Sequence, residues 1–265
     1  NVLTGLAQGI KGFTYESTFY PENNKIYSNK ITGASDKLVY WTGSGIFGVE
    51  KNWWGSNAGP DITKMSTKVN YLPWCLDEAC SSVGAPVHNV TRDTWFTAIQ
   101  PAIDAAIDGD TIEVFPGTYA EAITLNKPNI TVKSTEGAAS TIIDVPNAPL
   151  TIGVRVLANM GTVTFDGFTV KNFTEGGIIQ PMAAGAGTTF HVLNNRVIPA
   201  DGYLRNGIQV TGDDSIVKGN FVEGAYLTED WASTAIGVVN ADNVLVENNV
   251  VSGLVNGMDV GIDVY

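Results

Sequence analysis

The sequence predicts an all-β solenoid, short strands wound into stacked coils, and three observations predict it. Charged residues make up only 16% of the 265 residues while Gly contributes 29, a composition suited to short strands and turns rather than to salt-bridged helices. An element of the form apolar-x-x-Asn-x-apolar recurs, with Asn29 (Ile26 to Ile31), Asn52 (Val49 to Trp54), Asn195 (Val192 to Val197), Asn220 (Val217 to Val222) and Asn248 (Leu245 to Val250) at its centre. The spacing is regular: 23 residues from Asn29 to Asn52, 25 from Asn195 to Asn220 and 28 from Asn220 to Asn248, with Asp166 fitting the same frame 29 residues before Asn195. A period in the twenties marks a repeat architecture.

Each element has a physical reason. A coil must turn a corner between two strands, and Asn tolerates the left-handed backbone such a corner demands. Stacked side chains of this kind also hydrogen-bond as a ladder along the axis. Between the repeat regions, Ile99, Ile103 and Ile107 fall four apart on one helical face, Pro101 is tolerable in a first turn, and Gly109 stops the helix. Ile112/Val114, Ile123/Leu125 and Ile130/Val132 alternate at period two, with Pro116-Gly117-Thr118 as a turn between the first two of these strands. A short apolar helix ahead of the first coil serves as a lid, because an uncovered solenoid end exposes unpaired backbone groups.

The stretch from Gly109 to Leu125 behind that helix resembles the opening of a right-handed parallel β-helix of the pectate-lyase-like type, and the later Asn coils resemble the parallel β-helix repeats of secreted and surface proteins. The resemblance covers residues 91–265. It is specific for fold and nearly silent on function, since lyases, glycosidases and adhesins share it. Residues 1–74 resemble the closing end of such a helix, with Trp53, Trp54 and Tyr71 covering the last coil. The expected organisation is therefore an ending over 1–74, a linker with the two cysteines over 75–90, and an opening over 91–265.

That inversion bears on assembly. Asn1 to Ser17 and Asn249 to Tyr265 align without gaps, with Asn, Val, Gly, Leu and Gly coinciding. If Tyr265 were followed by Asn1 of a second copy, Asn248 would lie 46 residues before the next Asn29, twice the 23 that separates Asn29 from Asn52. The expectation is self-association head to tail, as a filament or tandem array.

Composition narrows the partners. With 15 Lys and Arg against 27 Asp and Glu the net charge is −12, which repels nucleic acid and anionic lipid, while metal cations or a neutral glycan remain open. No apolar run approaches the ~18 to 20 residues of a membrane helix, and no signal peptide is evident, so the sequence reads as a soluble internal protein or a mature, processed one. Cys75 and Cys80 are too few for a structural zinc site and read as a small local disulfide in preference to two free thiols. With three glycosylation sequons at Asn89, Asn129 and Asn172 they point to an extracellular or cell-surface address.

Chemistry is faint. Lyases of the resembled fold pair calcium-binding carboxylates with an Arg or Lys base, which nominates Asp213 and Asp214 with Arg196 and Arg205, and calcium as the one candidate cofactor. The Asp pair also resembles the Gly-Asp-Asp of polygalacturonases, but that family's Asn-Thr-Asp, Gly-His-Gly and Arg-Ile-Lys triplets are absent, and a polar turn before the strand at Ser215 is the plainer reading. His88 in the linker and His191 in a strand read as structural. The longest break in the repeat, Glu223 to Ala235, carries Tyr226, Glu229, Asp230 and Trp231 on an expected loop suited to a sugar or calcium. The function expected is thus structural or adhesive in preference to enzymatic, with a carbohydrate-active enzyme or a glycan-binding module as the alternative.

Overall fold

The computed structural model describes residues 2–4, 8–12, 26, 29–32, 37–41, 47–49, 51–55, 60, 62–66, 69–71, 74–80, 84, 86–184, 187–200, 206–223, 234–253 and 260–264. The chain divides into two compact units, Asn1–Pro86 and Val87–Tyr265, so the strand Val87–Asn89 belongs with the second unit and the cysteines with the first.

The second unit is a parallel β-helix. Its first sheet stacks Thr111–Val114, Thr131–Ser134, Gly161–Asp166, Thr188–Leu193, Ile216–Lys218 and Leu245–Glu247. The second stacks Gly117–Tyr119, Thr141–Asp144, Thr169–Phe173, Arg196–Pro199, Phe221–Glu223 and Val250–Ser252. The third stacks Ile123–Leu125, Ile152–Val156, Gly176–Ile179, Asn206–Val210, Thr234–Val238 and Val260–Val264. All of these pairs are parallel, and the strands linking one coil to the next advance by 20 residues (Thr111 to Thr131) to 33 (Thr131 to Thr164). Gly117 and Thr118, expected in a turn with Pro116, belong to the strand Gly117–Tyr119 because a three-sided coil needs a second side there.

Period-two alternation converts into columns of buried side chains. Ile112, Val132, Phe165, Val192 and Val217 lie in register in the first sheet. Ile143, Val170, Val197 and Val222 do so in the second, and Val154, Ile178, Ile208 and Ile236 in the third. All are fully buried, each worth about 1.5–3 kcal/mol of apolar transfer. A fourth column, Gly153, Gly177, Gly207 and Ala235, has no room for larger residues: a Cβ on Gly207 would lie 2.5 Å from the Ala235 carbonyl oxygen. Small residues there let successive backbones stack where the chain enters the third sheet.

The opening is closed by two devices. The helix Ile99–Ala105 buries Ile99, Ala102 and Ile103, and the Glu121 carboxylate accepts from the backbone N–H groups of Ile99 (2.8 Å) and Gln100 (2.9 Å) at its N-terminus. Ile107, expected on the same face, lies beyond the helix end and is exposed, since the chain turns extended at Ala106. The antiparallel hairpin of Val87–Asn89 and Thr94–Phe96 covers the edge of Thr111–Val114, meeting the need to protect a sheet edge.

The first unit repeats the coil on a smaller scale. Val2–Thr4 pairs in parallel with Lys30–Thr32, Gln8–Gly12 with Lys37–Trp41, and Phe47–Gly48 with Val69–Asn70. Bridges Lys30 to Trp53 and Val39 to Met65 extend the stack. Its core gathers Ile10, Ile31, Leu38, Val39, Trp41, Val49 and Trp54, with Tyr71 and Trp74 packed against it. Trp54 is buried there and Trp53 and Tyr71 are half-buried. Cys75 and Cys80 form a disulfide, and the Cys75 N–H donates to the Asn52 carbonyl at 3.0 Å, placing Cys75 in stack with Trp53 and Lys30.

The register overturns one piece of sequence arithmetic. Val2 already opens a coil that returns at Lys30, 28 residues on. A direct splice of Tyr265 to Asn1 would place Val2 only 17 residues after Val250, 15 to reach Tyr265 and two more, below the shortest advance of 20 (Thr111 to Thr131). The figure of 46 residues as two coils of 23 therefore does not hold, and the period is not preserved across such a junction.

Candidate functional site

The most regular constellation in the chain is a buried asparagine ladder. In the second unit Asn220 Oδ1 accepts from the backbone N–H and the Nδ2 of Asn195 at 2.9 and 3.1 Å, and Asn249 Oδ1 accepts from the same two groups of Asn220 at 2.9 and 3.0 Å. Each Nδ2 also donates to the carbonyl three residues before the previous rung: Asn195 to Phe165 (3.2 Å), Asn220 to Val192 (2.8 Å) and Asn249 to Val217 (2.8 Å). In the first unit Asn52 Oδ1 takes the N–H and Nδ2 of Asn29 at 2.9 and 3.0 Å, and Asn52 Nδ2 donates to Ile26 at 2.8 Å. The same corner thus occurs in both units.

Two expectations about this corner need correction. Asn248 is not a rung: register pairs Phe221 with Val250, which sets Asn249 beside Asn220 and Asn248 beside Gly219. Nor do the rungs themselves adopt the left-handed backbone. That conformation belongs to the residue before each one, Lys51 (φ 51°), Asn194 (φ 52°), Gly219 (φ 70°) and Asn248 (φ 55°), which turns the corner so that the following Asn points inward. Asp166 likewise is no rung. Gly167 takes the corner (φ 83°) and Phe168 stands at the rung position, its N–H donating to Asn195 Oδ1 at 2.9 Å.

Separate asparagine–aspartate pairs join coils at several places on the outside. Left-handed Asn129, Asn172, Asn194 and Asn243 donate through Nδ2 to Asp108 (2.8 Å), Asp144 (2.6 Å), Asp166 (2.9 Å) and Asp214 (2.6 Å) of the preceding coil. Cross-coil ion pairs join register partners on the same surface: Lys133 with Glu113 (3.1 Å), Lys171 with Asp144 (2.9 Å) and Lys218 with Glu247 (2.8 Å). The Lys171 ammonium and Asn172 amide hold Asp144 below the usual carboxylate range against the opposing effect of burial, while Asn126 and Gln100 do the same for Asp104.

The described members of the nominated catalytic set each have partners in a neighbouring coil. Asp213 and Asp214 occupy a turn whose Asp213 Oδ1 accepts from the Asp242 N–H at 2.8 Å and whose Asp214 Oδ1 accepts from Asn243, so both carboxylates join adjacent coils. Arg196 pairs with Glu223 at 3.3 Å and lies over the Phe221 ring at 5.5 Å, and Arg205 lies outside the described residues. So do Tyr226, Glu229, Asp230 and Trp231. Among the described residues no cluster of three His, Cys, Asp or Glu side chains is grouped to hold a metal ion. A cavity of about 570 Å³ lined by Asp144, Asn147, Asn172 and Thr174 has one carboxylate, already held by Lys171.

The sequons fare unequally. Asn89 is fully buried, its Nδ2 donating to Asp110 at 2.8 Å and its Oδ1 accepting from the Arg92 N–H at 3.2 Å, so a glycan has no access and that candidacy is withdrawn. Asn129 and Asn172 are exposed, with their amides committed to the outer asparagine–aspartate pairs.

The histidines are structural in position. The His88 ring stacks on Trp95 with centroids 4.0 Å apart and Nε2 3.0 Å from Asp93 Oδ1, inside the opening hairpin. His191 is half-buried on the outer side of its strand, and desolvation pushes its pKa below the usual value of 6.5. The folded state thus resists a proton that the unfolded chain accepts, so stability falls as pH drops below 6.5 and levels off below the folded-state pKa. His191→Gln is expected to flatten that part of a pH–Tm profile measured between pH 4 and 8; an unchanged slope would show that another group carries it.

Sequence reading also missed Gln180, fully buried, which donates through Nε2 to the Ala184 and Thr188 carbonyls (3.2 and 2.9 Å) and accepts from the Thr211 N–H at 3.0 Å. Its signal, a lone Gln after an apolar strand, has no periodicity to find.

Taken together, the parallel sheets and internal ladders define a parallel β-helix protein. No protein-family model and no curated protein matches the chain. Solved structures similar to it include pectin methylesterase PemA from Erwinia chrysanthemi, at 13% identity over 54% of this chain and 51% of that one with a TM-score of 0.38. A pectin methylesterase in complex with hexasaccharide VII is similar at 12% identity over 57% and 53%, with a TM-score of 0.40. The chain spans about half the length of each, and assignment of the fold rests on its own strand register.

Proposed function

We propose that this chain is an extracellular structural or adhesive protein whose copies associate end to end through solenoid coils. One observation carries the reading. In the third sheet the inward column runs from Ile208 and Ile236, both 0% exposed, to Ile262 at 51%, and the next from Val210 (0%) and Val238 (3%) to Val264 at 70%. Side chains that every earlier coil buries are left facing water on the last one, beside strands paired on one side only. Such an edge is a template for another coil, and a head-to-tail contact that does not close produces a filament. The disulfide supports an oxidising, extracellular address, and no helix among the described residues is long and apolar enough to cross a membrane.

Negative-stain microscopy and sedimentation of the purified protein across a concentration series test this. The expected result is uniform fibres with an axial repeat near one subunit length. Dispersed monomers at high concentration would remove the reading. A carbohydrate-directed role is the second reading, favoured by the open cavity at Asp144, Asn147, Asn172 and Thr174, whose hydroxyl and amide groups suit a neutral sugar.

A further inference from the structure

We infer that the coil docking on this edge is the first coil of a second copy, Val2–Thr4 and Gln8–Gly12, in one register: Val251 on Leu3, Ile262 on Ile10 and Asp263 on Lys11. The inference rests on the end-to-end reading and specifies its partner and alignment.

The inward positions set the register. Val251 follows Val222 inward in the second sheet, and Leu3 holds the position that leads to fully buried Ile31. Ile262 follows Ile236, and Ile10, itself buried, leads to buried Val39. Two independent sheets thus agree on one alignment. It carries two further matches that were not used to find it. The small-residue column of Gly153, Gly177, Gly207 and Ala235 continues through Gly261 to Gly9, where larger residues would separate the backbones. Asp263 then falls opposite Lys11, and opposite charges at register partners already form ion pairs at three places in the second unit. Val2–Thr4 and Gln8–Gly12 each pair on one side only among the described residues, so they offer the complementary parallel edge.

A charge swap in the full-length chain tests the alignment, read by sedimentation at low ionic strength. Asp263→Lys and Lys11→Asp singly are expected to raise the concentration for half-assembly roughly fivefold, and the double variant to return it to within about twofold of the parent. A separate chain carrying Asp263→Cys and Lys11→Cys is expected to give intermolecular disulfide-linked ladders on non-reducing gels under oxidation; should a swap variant fail to fold, this cross-link decides. Assembly of the parent without rescue by the double swap and without cross-linking would overturn the register while leaving end-to-end association in place. A parent that stays monomeric overturns both.

Discussion

Asn220→Ala is expected to destabilise the second unit by about 2–5 kcal/mol. Asn220 is buried, and its Oδ1 is the shared acceptor for the backbone N–H and Nδ2 of Asn195. Truncation strands the Asn195 backbone N–H and leaves its Nδ2 only the Phe165 carbonyl, in a corner from which the packed coils exclude water, and an unsatisfied buried donor costs about 1–3 kcal/mol. It also removes the donor to the Val192 carbonyl. Against a total stability of about 5–15 kcal/mol for a domain, this is a large fraction. Urea denaturation followed by far-UV circular dichroism measures it. Asn220→Asp, which keeps the acceptor but sets a carboxylate oxygen against the Val192 and Lys218 carbonyls and Asn249 Oδ1, should be at least as damaging at neutral pH. A loss below about 1 kcal/mol for the alanine variant would mean that the ladder is not a stabilising device.

Phe168→Ala is expected to cost about 3–5 kcal/mol by a different mechanism. Phe168 occupies a rung position without being polar, is fully buried, and stacks on Phe165 with ring centroids 4.5 Å apart and planes 15° from parallel. Removing the ring leaves a cavity that the stacked strands above and below cannot collapse into, because their spacing is fixed by backbone hydrogen bonds. The N–H of residue 168 would still reach Asn195 Oδ1, so the ladder stays intact and the loss reports packing alone. Phe168→Leu, which refills most of the space, should recover at least half in the same urea titration. Equal losses for the two variants would show that the effect lies outside the cavity.

The two variants also mark where sequence reading stops. Asn29, Asn52, Asn195 and Asn220 are legible as a ladder because a polar residue can recur inside apolar flanks at a fixed period only if each copy finds its hydrogen-bond partner in the next coil. The step from Asn220 to the next rung is ambiguous in sequence, since Asn248 and Asn249 are adjacent and either fits the pattern. Only the strand register, Phe221 opposite Val250, selects the second. Phe168 is invisible as a rung, because the position is defined by the left-handed Gly167 before it and not by the residue type at it.

Asp213, Asp214 and Arg196 illustrate the same limit for chemistry. Paired carboxylates near a cation read alike in sequence whether they face a substrate or the next coil, and the partners found here, Asp242, Asn243 and Glu223, lie about one coil away. Asn89 makes the point for modification, since its sequon is intact while its amide is buried against Asp110. Local patterns carry no record of what lies above and below them.

The sequence alone determined the solenoid, its period, the opening helix and most of the inward alternation, because these follow from local backbone and side-chain preferences repeated along the chain. What the tertiary structure decided is which residue of each corner turns and which bonds, which polar groups are consumed between coils, and that the final coil leaves Ile262 and Val264 facing water. The reason is that coil stacking is set by hydrogen bonds between residues 20 (Thr111 to Thr131) to 33 (Thr131 to Thr164) positions apart, and a shift of one residue in that register exchanges inside for outside without altering any local preference.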